Sequence, residues 1–416
     1  MQETLHSKIQ HTPPEVWLSI FKQATFVPHA FDTDASDPFH VLGTPITFDP
    51  STQVILQSAL ATKWSLVLVC KSWNDLATPL LYQAVAVRSD RGLQSLRDTL
   101  TKRTQRISPT GSFTSALRVQ RLDLFRWSPS PNTTTDILID VFQHLPDLEI
   151  FCASTRFHDS REIQSCVQAF IANCAASMRK CVLSPLSEVS QSEYEHLISR
   201  CPQLSHLFIP WPHWENSSTF PTFPDSLTFL SIDRPLQTQS RPFPSLQHVY
   251  VQLLPEFSDI DKMETVFIIQ GPYLRTVEFH MSSADAWTDL SLYFDFCTRY
   301  CPNLVHLILI MDDWEYDSDE VPSLSIPATV THLGLYMGWE MVPLDLEAHL
   351  SAVRDLLKFQ DTVPGVIRRL HALTEHDRKE LWENLELRTR FAPLAARCRL
   401  EDADGNELFS LDKISA

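Results

Sequence analysis

Glycine is scarce in this chain: eight residues of 416, where ordinary usage near 7% would give about 29. The nearest pair is Gly334 and Gly338. Neither G-x-G-x-x-G nor G-x-x-x-x-G-K can be written, so the backbone cradles that Rossmann folds, kinases and P-loop NTPases use for phosphate are missing. Basic charge is short as well. Lys and Arg number 34 against 51 Asp and Glu, a net charge of −17. A chain that neutralises phosphates needs the opposite balance, so neither nucleic acid nor an anionic membrane is an expected partner. Apolar residues make up 44%, but their runs stop after a few positions, such as Val67 to Cys70, and a bilayer span needs about 20. The opening MQETLHSKIQHTPPE has no apolar stretch of the secretory kind. Nine cysteines, an odd number with no C-x-x-C, do not make a paired-thiolate zinc site and read as reduced, mostly buried thiols. The expected setting is intracellular, cytoplasmic and/or nuclear. H-E-x-x-H and G-x-S-x-G are absent too, so no enzyme, metal or cofactor is expected.

Proline, at 28 residues, is plentiful. Thr12-Pro13-Pro14-Glu15 reads as a helix start with a capping box, and Val16, Trp17, Ile20, Phe21 and Ala24 follow at helical spacing. Residues 25–58 lose that period and hold four prolines, which predicts a long loop inserted between helices. A second helix is predicted from Ala59 to Cys70 and a third from Lys71 to Ala77. Leu60, Trp64, Val67 and Leu68 form one apolar stripe; Leu66, Val69, Cys70 and Trp73 form another. A short helix apolar on two sides must be buried on two sides, either against a partner or against the rest of the chain.

PPEVWLSIF at 13–21 and, after the insert, LVLVCKSWNDLATPLLY at 66–82 resemble an F-box motif of the fungal type with a long inserted loop. The match spans 11–82, with His11-Thr12 where the family usually has leucine. The resemblance implies three helices that dock on the small adaptor subunit of SCF ubiquitin ligases and, through it, on a cullin scaffold. By matching positions the adaptor-binding residues are Pro13, Pro14, Glu15, Trp17, Ile20, Leu66, Val69, Cys70, Trp73, Leu76, Pro79 and Leu80. Some of these must also serve the module's own core, and sequence does not separate the two sets.

After a predicted strand at Ala84 to Val87 and a helix from Gly92 to about Lys102, the triple apolar-x-x-apolar-x-apolar recurs. It starts at Val119, Leu148, Met178, Leu204, Leu227, Leu246, Leu274, Leu304 and Val330, at intervals of 19 to 30 residues. Proline stands two residues upstream in five copies: Pro146, Pro202, Pro244, Pro272 and Pro302. Helical stretches fill several gaps, at 136–144, 163–175, 194–200 and 286–300; the copies at 227 and 246 are too short for one. Helix-then-strand at this period resembles the irregular leucine-rich repeats that often follow F-boxes, without their typical asparagine. The expected fold class is α/β: a three-helix F-box at 11–82, a leucine-rich-repeat solenoid with a mostly parallel sheet at 83–340, and an α+β cap at 341–416. The cap should hold helices near 344–359 and 375–388 and a hairpin around Asp404-Gly405. The triples should face inward, with Leu204, Leu207, Ile209, Leu304, Leu307 and Leu309 buried.

The residues between the apolar ones then line the other, concave face. One column reads Arg121, Ile150, Lys180, His206, Phe229, His248, Thr276, His306, His332; its neighbour reads Asp123, Cys152, Val182, Phe208, Ser231, Tyr250, Glu278, Ile308, Gly334. Its four histidines stack one per strand and do not converge as metal ligands must, so the column is expected to face solvent or a protein. Candidate client-binding residues are His206, Phe208, His248, Tyr250, His306 and Ile308. Trp211 and Trp214 join them if their loop is exposed, and pack on the solenoid edge if not. Six acids between Asp312 and Glu320 read as a solvated loop or as a patch for a basic partner. The resemblance implies a non-catalytic substrate receptor of an SCF-type E3 ligase in ubiquitin-dependent degradation, its client unknown. The alternative is a protein-interaction scaffold that uses the F-box for assembly without ubiquitination.

Overall fold

The computed structural model describes residues 12–28, 30–33, 39, 50–105, 118–124, 133–153, 160–183, 191–208, 223–232, 242–253, 260–281, 286–311, 325–337, 354, 363–370, 379, 383–403 and 405–408. Two compact units result, Met1–Thr33 with Ile46–Ser205, and Asp34–Pro45 with His206–Ala416. Among the described residues no helix is long and apolar enough to cross a membrane.

The first unit opens with three helices. Pro13 precedes a proline, which drives it to an extended conformation (ψ 144°) and makes it the N-cap of α1, Pro14–Ala24. The cap therefore falls one residue later than the Thr12 capping box predicts. α2 spans Pro50–Val69, nine residues earlier than its predicted start at Ala59. Proline is favoured in a first helical turn, and no glycine or further proline interrupts 51–69. Cys70 is extended (φ −161°, ψ 170°) and breaks the chain between α2 and α3, Lys71–Gln83. The Asn74 side chain reaches back across this break to the Val67 carbonyl at 3.1 Å. α3 runs through Pro79, six residues beyond its predicted end at Ala77. Proline costs one helical hydrogen bond there, while Ala77, Thr78 and Leu80 are buried around it.

Strands and helices then alternate. β1 (Ala84–Val87), β2 (Arg121–Leu124), β3 (Ile150–Ala153) and β4 (Lys180–Leu183) pair in sequence order and in parallel. Between and after them lie α4 (Asp90–Gln105), α5 (Thr133–Gln143), α6 (Ser160–Cys174) and α7 (Gln191–Arg200). In the second unit β5 (His206–Phe208), β6 (Phe229–Ile232), β7 (His248–Leu253), β8 (Thr276–Met281), β9 (His306–Met311), β10 (His332–Met337), β11 (Val366–Arg369) and β12 (Arg399–Glu401) do the same. α8 (Ile260–Gln270), α9 (Ala286–Tyr300) and α10 (Leu385–Ala395) accompany them. Parallel neighbours need crossovers on one side, so the class is α/β.

Each apolar triple supplies one strand. The first residue of the triple closes a turn onto the carbonyl three residues back: Leu148 on Leu145, Leu204 on Cys201, Leu246 on Phe243, Leu274 on Gly271 and Leu304 on Cys301, at 3.0–3.2 Å. Proline in these copies occupies the second turn position, whose φ it pre-sets. Two successive amides then share one carbonyl of the preceding copy, as Val305 and His306 do on Arg275 at 2.9 and 3.0 Å. The triple is buried wherever it is described; Leu204, Leu207, Leu304, Leu307 and Leu309 are each 0% exposed. Ile209 lies outside the described residues. In place of the missing asparagine, other side chains tie successive copies together. Gln270 Nε2 donates to the Phe243 and Leu246 carbonyls at 2.8 and 3.0 Å, and Ser177 Oγ to Leu148 at 2.8 Å.

The C-terminal region differs from its reading as a separate cap. β11 and β12 add to the parallel sheet beyond residue 340, because β10 offers an unpaired edge: Val366 N–H donates to Thr331 at 3.0 Å and Leu370 to Leu335 at 2.9 Å. Within the predicted helix at 375–388 the described residues Lys379, Glu383 and 385–388 are helical, the last of these opening α10, and 344–359 lies outside the described residues except Arg354, which is helical. Of the hairpin, the described residues show one antiparallel bridge, Glu401 to Glu407, with Gly405 at φ +79°.

Candidate functional site

The twelve sequence-predicted adaptor-binding residues separate into two sets. Leu80 is buried with Phe21 and Ala77, and Trp17, Leu66, Trp73 and Leu76 pack against that cluster. The Trp17 and Trp73 rings are 4.8 Å apart, and Phe21 meets Trp73 edge-on at 4.8 Å. These are the three-helix core. Pro13, Pro14, Glu15 and Cys70 are exposed and Pro79 is half-buried. Ile20 is 47% exposed and Val69 58%, alongside Val16 at 46%, Trp64 at 56% and Leu68 at 66%. Val16 and Ile20 stand four residues apart on α1, and Trp64 and Leu68 do so on α2, so each pair shares a helix face. Single exposed apolar residues are ordinary; six large ones on these two helices, counting Ile55 at 52%, are not.

The strand register reproduces the two inner columns in each unit. Arg121, Ile150 and Lys180 are cross-strand partners, as are Asp123, Cys152 and Val182. In the second unit His206, Phe229, His248, Thr276, His306, His332 and Val366 follow one another, and beside them Ser231, Tyr250, Glu278, Ile308, Gly334, Arg368 and Glu401. The expectation that this face is open to solvent is not met. His206, Phe208, His248, Tyr250 and Ile308 are buried, and His306 is half-buried. Several side chains on it pair laterally. His206 stacks flat on Phe229 at 3.8 Å, His248 shares a 2.9 Å hydrogen bond with Glu278, and Tyr250 shares one of 2.5 Å with His280. Among the described residues no group of three or more His, Cys, Asp or Glu is placed to hold a metal.

Part of what covers the face comes from the inserted segment. In the first unit the Arg121 guanidinium donates to the Ala30 carbonyl at 2.6 Å while its Nε bridges both Asp123 oxygens at 2.9 and 3.1 Å. Ser205 Oγ donates to Thr33 at 2.5 Å. Burial holds Lys180 below the usual lysine range, against the opposing pull of Cys152, Asp123 and Asp32. In the second unit Phe39 is 5% exposed. Its ring meets His306 edge-on at 5.5 Å, lies 6.1 Å from His332, and carries the Arg368 guanidinium 4.8 Å above its centre. A Cβ on Gly334 would come within 2.8 Å of that ring.

Sequence reasoning missed Phe39 and the 30–33 backbone, because a proline-rich insert carries no period. Gly334 was the available signal: an isolated glycine in a strand column marks a close approach by another group. Trp211, Trp214 and the acidic run 312–320 lie outside the described residues. No protein-family model matches the chain, and no curated protein matches it.

Proposed function

We propose that the chain is an F-box substrate receptor of an SCF-type E3 ubiquitin ligase, which binds the adaptor through its N-terminal helices and a client protein through a leucine-rich-repeat solenoid. The observation that carries this reading is the exposed apolar set Val16, Ile20, Trp64, Leu68 and Val69 on a helical trio whose core is already filled by Phe21, Trp17, Trp73 and Leu80. Such a surface is stabilised by a partner that removes it from water. The PPEVW and VCKSW motifs on the same helices name the partner class. One strand per apolar triple, in parallel and in sequence order, supports the solenoid. Ubiquitin transfer would belong to other subunits, and this chain would raise the local concentration of the client.

The test separates interface from core. Ile20→Asp/Val69→Asp changes surface residues, so helical content and melting should stay near wild type. Binding to purified adaptor should fall by at least about 100-fold, the scale of losing two interface anchors. Trp73→Ala should instead lower the melting temperature. A folded Ile20→Asp/Val69→Asp chain that binds adaptor as wild type does removes the assignment.

A further inference from the structure

The contacts around Phe39 form a seat that does not depend on Phe39. Arg368 is held from the far side by Glu401, at 2.9 Å from Nε and 2.8 Å from the terminal nitrogen. His306 Nδ1 pairs with Thr276 Oγ1 at 3.4 Å and His332 Nδ1 with Thr331 Oγ1 at 2.8 Å. Gly334, between them on the sheet, leaves the notch that the ring enters. A guanidinium and two imidazoles, each held by a side chain of a neighbouring strand or residue, make a preorganised wall, which favours binding because little ordering remains to be done. Their chemistry selects an aromatic ring: a cation over its face and imidazoles towards its edge and flank. An interior meant only for packing would line such a space with aliphatic side chains, at no cost in buried polar groups.

We propose that the inner face of the second unit carries a binding seat for one aromatic side chain, filled in cis by Phe39. A protein ligand offering an exposed Phe, Tyr or Trp binds there by taking Phe39's place. The insert is then an internal competitor. Tethered to the unit, it acts at an effective concentration of about millimolar, and weak external aromatics do not enter. This rests on the receptor reading only in taking the ligand to be a protein. The experiment uses the purified full chain without adaptor, so its failure and the failure of adaptor binding are read separately.

The probe is a fluorescently labelled peptide reproducing residues 34–45, DASDPFHVLGTP, followed by anisotropy. It should bind the Phe39→Ala chain about tenfold or more tightly than wild type, whose seat is occupied. The same peptide with alanine at its phenylalanine should bind neither. Gly334→Leu in the Phe39→Ala background should remove binding by filling the notch. Equal binding to wild type and Phe39→Ala, binding that survives Gly334→Leu, or no binding to the folded Phe39→Ala chain overturns the proposal. If Phe39→Ala does not fold, 4-fluorophenylalanine at position 39 gives the answer in an otherwise native chain. Its fluorine resonance should move towards the free-peptide position as an unlabelled aromatic peptide is added. A resonance unmoved at millimolar peptide overturns the proposal.

Discussion

Asp123 is wholly removed from water, and what keeps its charge there is Arg121, whose Nε lies 2.9 Å from one carboxylate oxygen and 3.1 Å from the other. Taking one partner from a buried pair leaves the other charge desolvated and alone, at a cost of about 3–5 kcal/mol, whereas replacing both by apolar groups is often neutral. Asp123→Ala should therefore lower denaturant stability by that amount, and Arg121→Met/Asp123→Leu should recover most of it. Equal losses in the single and double variants would show that the pair is not what holds this corner. The buried thiols set a second dependence, on pH. Burial pushes Cys152, Cys174 and Cys201 from the ordinary 9.0 up to about 12, with Asp123 adding to the effect at Cys152 and Cys201 at Cys174. The folded chain keeps protons that the unfolded chain gives up, so stability is whole below pH 9 and falls as pH rises towards 12. Melting temperatures across that window should decline, and less steeply in a Cys152→Ala/Cys174→Ala/Cys201→Ala chain.

At the scale of elements, legibility follows locality. The apolar triple and its upstream proline are complete within eight residues. They foretell both turn and strand, as at Pro302, Leu304, Leu307 and Leu309, because a β-turn and an inward-facing pleat are decided by neighbouring side chains. β11 was not legible. Its sequence, VIRR, buries Ile367, and it becomes a strand because β10 presents carbonyls to its amides. The start of α2 at Pro50 was hidden by the same prolines that mark loops; only their position relative to the helix distinguishes the two roles. On α1 to α3 the sequence shows apolar residues on two faces and cannot say which face is inside. Trp17, Leu66 and Trp73 look no different from Ile20, Trp64 and Val69 until the rings are seen to stack on Phe21. The inner columns of the sheet were legible as register, because period two fixes it, but not as burial, because their cover comes from far along the chain.

For the molecule as a whole, the two proposed functions draw on different units. The exposed apolar residues of α1 and α2 belong to the first, while Phe39, His306, His332, Gly334 and Arg368 belong to the second. No cysteine is paired, and the nine thiols sample both units, so they report on the entire chain at once. Eight are buried and Cys70, at the break between α2 and α3, is exposed. Alkylation needs an accessible thiolate. Burial denies access to the eight, and it further suppresses ionisation at Cys181 and Cys297, whose thiols it pushes well above 9.0. Native alkylation followed by mass spectrometry should therefore show one fast site, Cys70, with the others modified only on the timescale of opening. Cys70 is among the residues that the F-box reading assigns to the adaptor, and Val69 beside it is 58% exposed. Saturating adaptor should slow modification of Cys70 by at least about tenfold and leave the other eight rates as they were. Protection absent at Cys70, under conditions where complex formation is verified, would place the adaptor on another surface of the first unit. Slowing at the second unit's Cys297, Cys301 and Cys398 as well would mean that adaptor binding also tightens the second unit.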